Sequence, residues 1–314
     1  MIKKAAALFA VIVLISSQAQ GAYLTRYWGA RALGMGSAFT AVADDADAPL
    51  YNIAGVAVMD KAEVTFMSAK AFTGLEGVDI SFDYASFVFP VNKKIGSLSA
   101  AWAYNGATGT RSEHDINIGY ARTLNDLFAL AGLNIDDLAE ISAGANARYL
   151  RMDTEDVNGV PGTLTQEAPG LDVGVLVRFS NGLSVGYSGK YLNSPDIGVT
   201  TDDYIYPTNV LGIAYFSENL PLLHLPYFTI AADLENRNGE NTLKIGAETR
   251  LLDGSLALRA GGWREQLNFG AGYGLDFGKE KKSRLSIDYA FGLPIGGIQD
   301  STGSHFLSLS YRFP

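Results

Sequence analysis

The sequence predicts an all-β fold, a transmembrane antiparallel β-barrel of about fourteen strands with an N-terminal plug segment inside the lumen. Three observations predict it. The 314-residue chain opens with an apolar leader, continues from Ala62 in segments of alternating apolar and polar residues, and ends with such a segment at 304–313. Successive side chains of a strand point to opposite faces, so each segment has one apolar face and one polar or small face.

The leader has the organisation of a cleaved secretory signal peptide. Lys3 and Lys4 supply a positive start, residues 5–16 form an apolar run too short for a stable anchor, and small residues lead up to Gly21. We therefore expect export and removal of this segment. The predicted division of the chain is 1–21 signal peptide, 22–61 N-terminal plug or hatch, and 62–314 outer-membrane β-barrel.

The composition excludes several classes of function. The formal net charge is −9, so the basic patch that displaces counterions from nucleic acid is missing. The chain has no cysteine, which excludes a disulfide framework and a thiolate metal site. The sequence predicts no cofactor and no nucleic-acid partner.

The alternating segments are separated by turn residues such as Asn181-Gly182 and Asp253-Gly254, which favour two-residue hairpins with positive φ. Two connections are longer: Leu124–Glu140, with apolar residues at helical spacing, and Ser217–Pro226. An even number of strands puts both ends of the barrel on one side. The predicted strands are 62–72, 78–89, 94–105, 112–123, 141–151, 170–179, 183–192, 207–216, 227–235, 241–251, 255–263, 267–277, 283–291 and 304–313, with moderate loops at 152–169 and 193–206.

The two faces of these segments distinguish a membrane barrel from a soluble sandwich, which is the alternative. Large aromatic residues continue along the apolar faces of a long meander that has no second sheet to cover it. Such a meander closes more easily on itself, with lipid outside. Aromatic residues near the strand ends fit the interfacial girdles of a membrane barrel; they are Phe89, Tyr104, Phe179, Tyr191, Phe277, Phe291, Tyr311 and Phe313.

Residues Tyr23–Asp60 do not alternate and are rich in small side chains. Eight-stranded barrels fill with their own side chains, whereas barrels of sixteen or more leave a channel. A segment of small residues could fill a lumen of intermediate size, and a periplasmic tail is the alternative. Asp44 and Asp45 could cap a helix in this segment, since carboxylates satisfy free N–H groups. They could also hold a ligand or ion, or pair with lumen arginines, namely Arg148, Arg178 and Arg259.

The sequence of residues 29–57, GARALGMGSAFTAVADDADAPLYNIAGVA, resembles the N-terminal signature of the FadL-like outer-membrane protein superfamily. Its glycine spacing, the Asp44-Asp45 pair and the turn at 52–55 are closest to the compact PorV/PorQ-like branch. One departure matters, because the Asn-Pro-Ala of that family reads Asn52-Ile53-Ala54 here. The stiffening proline is therefore missing from the element that the resemblance implies acts as a gate.

The resemblance implies a passive outer-membrane channel for small hydrophobic, fatty-acid-like compounds. The alternative is a PorV-like secretion-system component that binds exported cargo proteins at the outer membrane. Outer-membrane lipid would surround the barrel, and barrel-assembly machinery would read the C-terminal strand at 305–313. The candidate ligand or gating residues are Arg31, Asp44, Asp45, Asn52, Ala54 and Gly55, and the candidate lumen charges are Arg148, Arg178 and Arg259.

The sequence does not favour an enzyme. Residues 182–186 match the G-x-S-x-G nucleophile pattern, but that motif needs a strand-to-helix turn and Ser184 lies in an alternating segment. His114, His224 and His305 share no metal-ligand spacing. We therefore predict neither catalytic residues nor a metal site.

Overall fold

The computed structural model describes residues 23, 28–74, 79–92, 94–107, 109–155, 162–198, 201–220, 225–278, 282–296 and 301–314, with backbone alone at 219–220 and 225–226. The predicted signal peptide lies outside these residues. Within them, no helix combines the length and the apolar character that a membrane span requires.

Fourteen antiparallel strands form a closed barrel, as the sequence predicts. Each strand pairs with its sequence neighbours, and β14 closes the ring by pairing with β1. The strands are β1 Glu63–Thr73, β2 Ile80–Asn92, β3 Gly96–Ala107, β4 Arg111–Thr123, β5 Ala139–Glu155, β6 Thr163–Phe179, β7 Leu183–Lys190, β8 Thr208–Leu220, β9 Leu225–Arg237, β10 Glu240–Leu251, β11 Leu256–Trp263, β12 Gln266–Phe277, β13 Ser283–Pro294 and β14 Gly303–Arg312.

In the part of the chain that the structure describes, four short helical elements accompany the barrel. Three precede β1: α1 at Ala30–Gly34, α2 at Ala48–Tyr51 and a 3₁₀ helix, η1, at Ile53–Val58. The fourth, α3 at Asn125–Leu130, lies in the connection where helical spacing predicts a helix. Because the number of strands is even, β1 begins and β14 ends at one rim, which we call the chain-end rim, and the opposite rim is the loop rim.

The strand residues alternate between an exposed outer face and a buried inner face. The outer face carries apolar side chains such as Ile118, which is 67% exposed, while charged residues such as Glu248 and Asp233 are buried on the inner face. In strand β2 the expected assignment of the inner and outer faces is reversed. Phe82 and Tyr84 are the aromatic side chains of the alternating segment predicted at 78–89, and the alternation predicts them on the outward apolar face. That placement is wrong, because both are buried on the inner face, where they contact Trp28.

The hairpin between β5 and β6 is longer than expected. Both strands have 17 residues, and their pairing continues as far as Glu155 and Thr163. The predicted loop at 152–169 is therefore strand at both ends. Thr165 and Glu167 on the outer face are polar, and this removes the alternation of apolar and polar residues that marks the rest of the strand.

Three other connections also differ in length from the prediction. Ser217–Leu220 belongs to β8 and β9 begins at Leu225, so the connection predicted at 217–226 is short. The turns containing Gly182 and Asp253-Gly254 have three and four residues rather than two, although all three residues have the expected positive φ. A two-residue hairpin with positive φ at both residues is Asn238-Gly239, with φ of 50° and 79°.

The connection between β7 and β8 packs against the inner side of the loop rim. Tyr191 has φ of 53°, which turns the chain inward, and its side chain is buried together with Ile197 and Ile205. These residues pack with Leu150 and Met152 of β5. The placement of Tyr191 in an outer aromatic girdle is therefore wrong, and the predicted loop at 193–206 is a folded cover.

Candidate functional site

The segment at residues 28–60, which we call the N-terminal segment, is almost fully buried against inner-face residues of the barrel strands. Its small side chains permit very close approach. A Cβ on Gly36, whose φ is +61°, would lie 2.0 Å from the backbone nitrogen of Gly262. A Cβ on Gly246 would lie 2.1 Å from the carbonyl oxygen of Met35. Glycines on both partners are therefore required at this contact.

Arg31 of α1 is the centre of a buried charge cluster. Its Nη1 lies 2.6 Å from Asp44 Oδ1 and 2.7 Å from Asp45 Oδ2, and its Nε lies 3.0 Å from Glu248 Oε2. Pairing with Arg148, Arg178 or Arg259 was one alternative for Asp44 and Asp45, and none of these forms an ion pair with either carboxylate among the described residues, although the charge of Arg178 acts on Asp44. The partner is an arginine of the same segment, and Glu248 of β10 binds that arginine to the barrel.

The cluster continues along the inner face. Arg259 Nε lies 2.6 Å from Glu248 Oε2, and Arg259 Nη1 lies 2.6 Å from Asp288 Oδ1. Arg250 Nη2 lies 3.0 Å from Glu248 Oε1. A single buried glutamate therefore has three arginine partners, and this arrangement compensates for the desolvation of its charge.

The predicted capping role of Asp44 and Asp45 is also wrong, because α2 begins after Asp47 and has no side-chain cap. Asp45 Oδ1 instead accepts a hydrogen bond from the backbone N–H of Asp47 at 2.9 Å. Burial raises the pKa of Asp45 to about 6, against the opposing effect of Arg31. Burial acts on Asp44 too, but Arg31, Arg178 and Arg250 outweigh it and lower the pKa of Asp44. Burial raises the pKa of Asp47 well above its usual value.

The second half of the N-terminal segment is held by neutral hydrogen bonds around Asn52. Asn52 Nδ2 donates to the carbonyl oxygens of Thr40, at 2.9 Å, and Val175, at 3.0 Å. Asn52 Oδ1 accepts from the N–H of Ala54, and the carbonyl oxygen of Ala54 accepts from Ser142 Oγ at 3.0 Å. The side chain of Asn52 therefore caps η1 and attaches it to β6 at the same time.

The structure gives a physical reason for Ile53 at the position of the missing proline. The side chain of Ile53 lies over three glycines of adjacent strands: a Cβ on Gly119, Gly144 or Gly174 would lie 2.5, 3.1 or 3.0 Å from an Ile53 side-chain carbon. The isoleucine fills the space that these glycines leave. The next turn is equally close, since a Cβ on Gly55 would lie 1.9 Å from the carbonyl oxygen of Ala43.

Three inner-face residues that the sequence did not single out also bind the segment. Asp233 Oδ2 accepts from the backbone N–H groups of Phe39 and Thr40, each at 3.0 Å. Lys190 Nζ donates to the carbonyl oxygen of Leu50 at 2.5 Å. The third is Asn146, whose Nδ2 donates to the carbonyl oxygen of Pro49 at 2.8 Å. The sequence signal that could have identified these three residues is their position: each is a polar residue on the strand face opposite the apolar residues.

The three predicted lumen arginines have different partners. Arg178 Nη2 donates to the carbonyl oxygen of Val42 at 2.9 Å, and Arg259 reaches the segment through Glu248. Arg148 binds residues of the barrel wall and Tyr191 of the connection between β7 and β8. It pairs with Asp115 and, at 2.5 Å, with Asp172, and its guanidinium carbon lies 4.9 Å from the ring centre of Tyr191.

The structure does not provide the geometry that catalysis at the G-x-S-x-G match would need. Ser184 lies within β7, and a hairpin precedes it rather than a strand-to-helix turn. Among the described residues, no group of three or more potential ligands could hold a metal ion. His224 lies outside the described residues.

Solved structures share this fold. The toluene transporter TbuX of Ralstonia pickettii is 11% identical, with 92% of this chain and 98% of that chain aligned and a TM-score of 0.60. The toluene transporter TodX of Pseudomonas putida is 12% identical over 92% and 99%, with a TM-score of 0.59. A FadL homologue of Pseudomonas aeruginosa is 12% identical over 89% and 98%, with a TM-score of 0.51.

These likenesses establish the fold alone, which this chain shares with the two toluene transporters and the FadL homologue. No protein-family profile matches the chain, and no curated protein sequence matches it either. The resemblance of residues 29–57 to the compact PorV/PorQ-like branch therefore stays a prediction.

Proposed function

We propose that this chain is an outer-membrane channel that passes small hydrophobic compounds passively, with residues 22–61 as the plug of a barrel formed by 62–314. The observation that carries the proposal is the attachment of the N-terminal segment to inner-face residues on many sides of a closed barrel. Its partners include Ser308 of β14, Asp233 of β9, Glu248 of β10 and Ser142 of β5. A segment with such partners fills the lumen and has to move for a ligand to pass.

The outer face supports a location in the outer membrane. Exposed apolar side chains continue around the barrel, and the strands have the 9–11 residues or more that a tilted span needs, apart from the eight-residue β7 and β11. At the chain-end rim, aromatic rings form a row that fits an interfacial girdle. The row contains Phe89, Phe87, Phe313, Tyr311 and Phe277, with neighbouring ring centres 4.7–6.3 Å apart. Insertion by the barrel-assembly machinery through β14 belongs to the same proposal.

The inner face supports a hydrophobic ligand. Trp28 lies with its ring centre 5.8 Å from that of Phe82 and 6.3 Å from that of Tyr84, and Phe306 belongs to the same cluster. This buried aromatic cluster would line the path that opens when the segment moves, and an aromatic lining suits small apolar compounds. Fatty-acid-like compounds and monoaromatic compounds are both candidates on this ground.

Uptake measurements test the proposal. We expect a strain without the gene to take up labelled toluene or a labelled long-chain fatty acid more slowly, and the wild-type gene to restore uptake. Unchanged uptake together with lost export of a surface protein would contradict the channel and favour the PorV-like secretion component. A protein that stays soluble without detergent, with no heat-modifiable gel mobility, would contradict the membrane location.

A disulfide lock tests the plug itself, and the absence of natural cysteine makes it specific. Ser308 Oγ lies 2.9 Å from the backbone nitrogen of Ala30, so cysteines at both positions should bring their sulfurs close together. We expect the oxidised Ala30→Cys, Ser308→Cys variant to lose uptake and a reducing agent to restore it. Each single cysteine variant is the control. Full uptake by the oxidised double variant would show that this part of the segment need not move.

A further inference from the structure

A cavity of about 120 Å³ lies at the chain-end rim, between the inner face of β10–β14 and the N-terminal segment. This volume corresponds to roughly four molecules of liquid water. Five arginines line the cavity: Arg31, Arg250, Arg259, Arg284 and Arg312. Three acids also line it, Asp45, Glu63 and Asp288.

At two of these arginines the guanidinium group is more exposed than the carboxylate with which it pairs. Glu248, the partner of Arg250, is 2% exposed, whereas Arg250 is 38% exposed. Glu63 is 6% exposed and its partner Arg312 is 38% exposed. A solute that enters the cavity therefore meets guanidinium groups whose countercharges are already engaged.

These guanidinium groups keep unused hydrogen-bond donors. Each arginine has five N–H groups. Among the described residues, Arg312 uses its Nε for Glu63, and Arg250 uses Nε and Nη2 for Glu248. Arg284 uses Nη1 for Asp276 and Nη2 for the carbonyl oxygen of Gly254. The planar fork of arginine matches the two oxygens of a carboxylate or phosphate group, so the remaining donors suit an oxyanion.

We propose that this cavity binds a small oxyanion group, a carboxylate or a phosphate. Arg250, Arg284 and Arg312 contact the anion, and Arg31 and Arg259 hold Asp45, Glu248 and Asp288 in ion pairs behind them. The hydroxyl group of Ser286, which also lines the cavity, supplies a neutral donor. The site does not depend on the proposed channel, because an anion would bind here whether or not hydrophobic compounds pass.

Calorimetry on the full chain in a non-ionic detergent tests the site, with inorganic phosphate, acetate and octanoate as separate probes. We expect saturable binding of phosphate and acetate, weakened at least tenfold in the double variant Arg250→Gln, Arg312→Gln. If octanoate binds more tightly than acetate, the oxyanion group that the cavity prefers is the head group of an amphiphile. If the two bind equally, the preferred ligand is the free anion. Arg151→Gln is the matched control, because Arg151 is an exposed arginine that pairs with Asp153 away from the cavity.

A second variant keeps the test interpretable if the double variant does not fold. Ser286→Asp adds a carboxylate to the cavity and removes no ion pair, so it should abolish anion binding while heat-modifiable mobility stays normal. Wild-type protein that binds neither phosphate nor acetate saturably would overturn the proposal. So would equal anion affinities of Ser286→Asp and Arg151→Gln. If the protein binds anions normally but does not transport toluene, the proposed channel is contradicted and the proposed anion site is not.

Discussion

The two halves of the N-terminal segment are held to the barrel by different kinds of interaction. The first half, residues 28–47, depends on Arg31 and its bonds to Asp44, Asp45 and Glu248. The second half, residues 48–60, depends on neutral hydrogen bonds of Asn52 and on contact with strand glycines. The ion pairs of Arg31 distinguish the first half, which also makes close glycine contacts, from the second half, where neutral hydrogen bonds and close packing predominate.

The difference determines what can release each half. A buried ion cluster is stable only while every charge keeps its partner, because an uncompensated buried charge costs several kcal/mol. Neutral hydrogen bonds and close packing are indifferent to salt and pH, but they do not tolerate added volume. The first half should therefore respond to charge and proton concentration, and the second to side-chain size.

The largest effect is expected from Arg31→Gln. This change leaves three acids without their shared cation, and we expect a loss of roughly 3–5 kcal/mol in the free energy of unfolding. Urea unfolding in lipid vesicles, with Arg151→Gln as the control for an exposed arginine, measures it. A loss equal to that of the control would show that the acids find other partners and that charge does not hold the first half.

A smaller effect is expected from Gly174→Ala in the second half. The added Cβ would lie 2.2 Å from Asn52 Oδ1 and would displace the amide from its two carbonyl acceptors. Overpacking of this kind costs about 1–3 kcal/mol. Gly296→Ala is the matched control, because its Cβ would make only an ordinary contact at 3.5 Å. If the two variants have the same unfolding midpoint, close fit does not hold η1 in place.

The smallest effect concerns pH. The pKa of Asp45 in the folded protein, about 6, lies above its ordinary value of 3.8, so the folded state binds the proton more tightly. Its contribution to stability is complete below pH 3.8 and is lost as the pH rises through 6. We expect amide hydrogen exchange near Arg31 to slow when the pH falls from 7 to 5, after correction for the intrinsic rate. Asp45→Asn should remove this change, and exchange near Asn52 should not show it.

The strand count and closure of the barrel could be predicted because alternation and turn chemistry are local signals. Which apolar face points inward could not be predicted for β2. Phe82 and Tyr84 alternate as outward residues would, and no local signal shows that Trp28 packs against them on the inside. Tyr191 was misplaced for a related reason, since an aromatic residue at a strand end gives no indication that the backbone turns inward there.

The sequence identified several residues of the candidate site individually, but it did not predict which of them contact one another. Arg31, Asp44, Asp45 and Asn52 were all identified, yet Arg31 was not among the arginines considered as partners of the two acids. Arg31 and Asp44 are 13 residues apart on a chain of turns and short helices, a separation that no periodicity connects. Lys190 and Asp233 were not expected to bind the segment, because their partners are backbone groups with no sequence signature.

The hydrogen bond between Ala30 and Ser308 joins residues 278 positions apart, across nearly the whole length of the chain. Ser308 also belongs to the strand that completes the ring by pairing with β1, where it lies opposite Met67. The segment synthesised first thus cannot reach its final hydrogen-bonded state before the last strand has been made. Since contacts of such large sequence separation form slowly, closure of the seam and docking of the segment should be late and coupled events in folding.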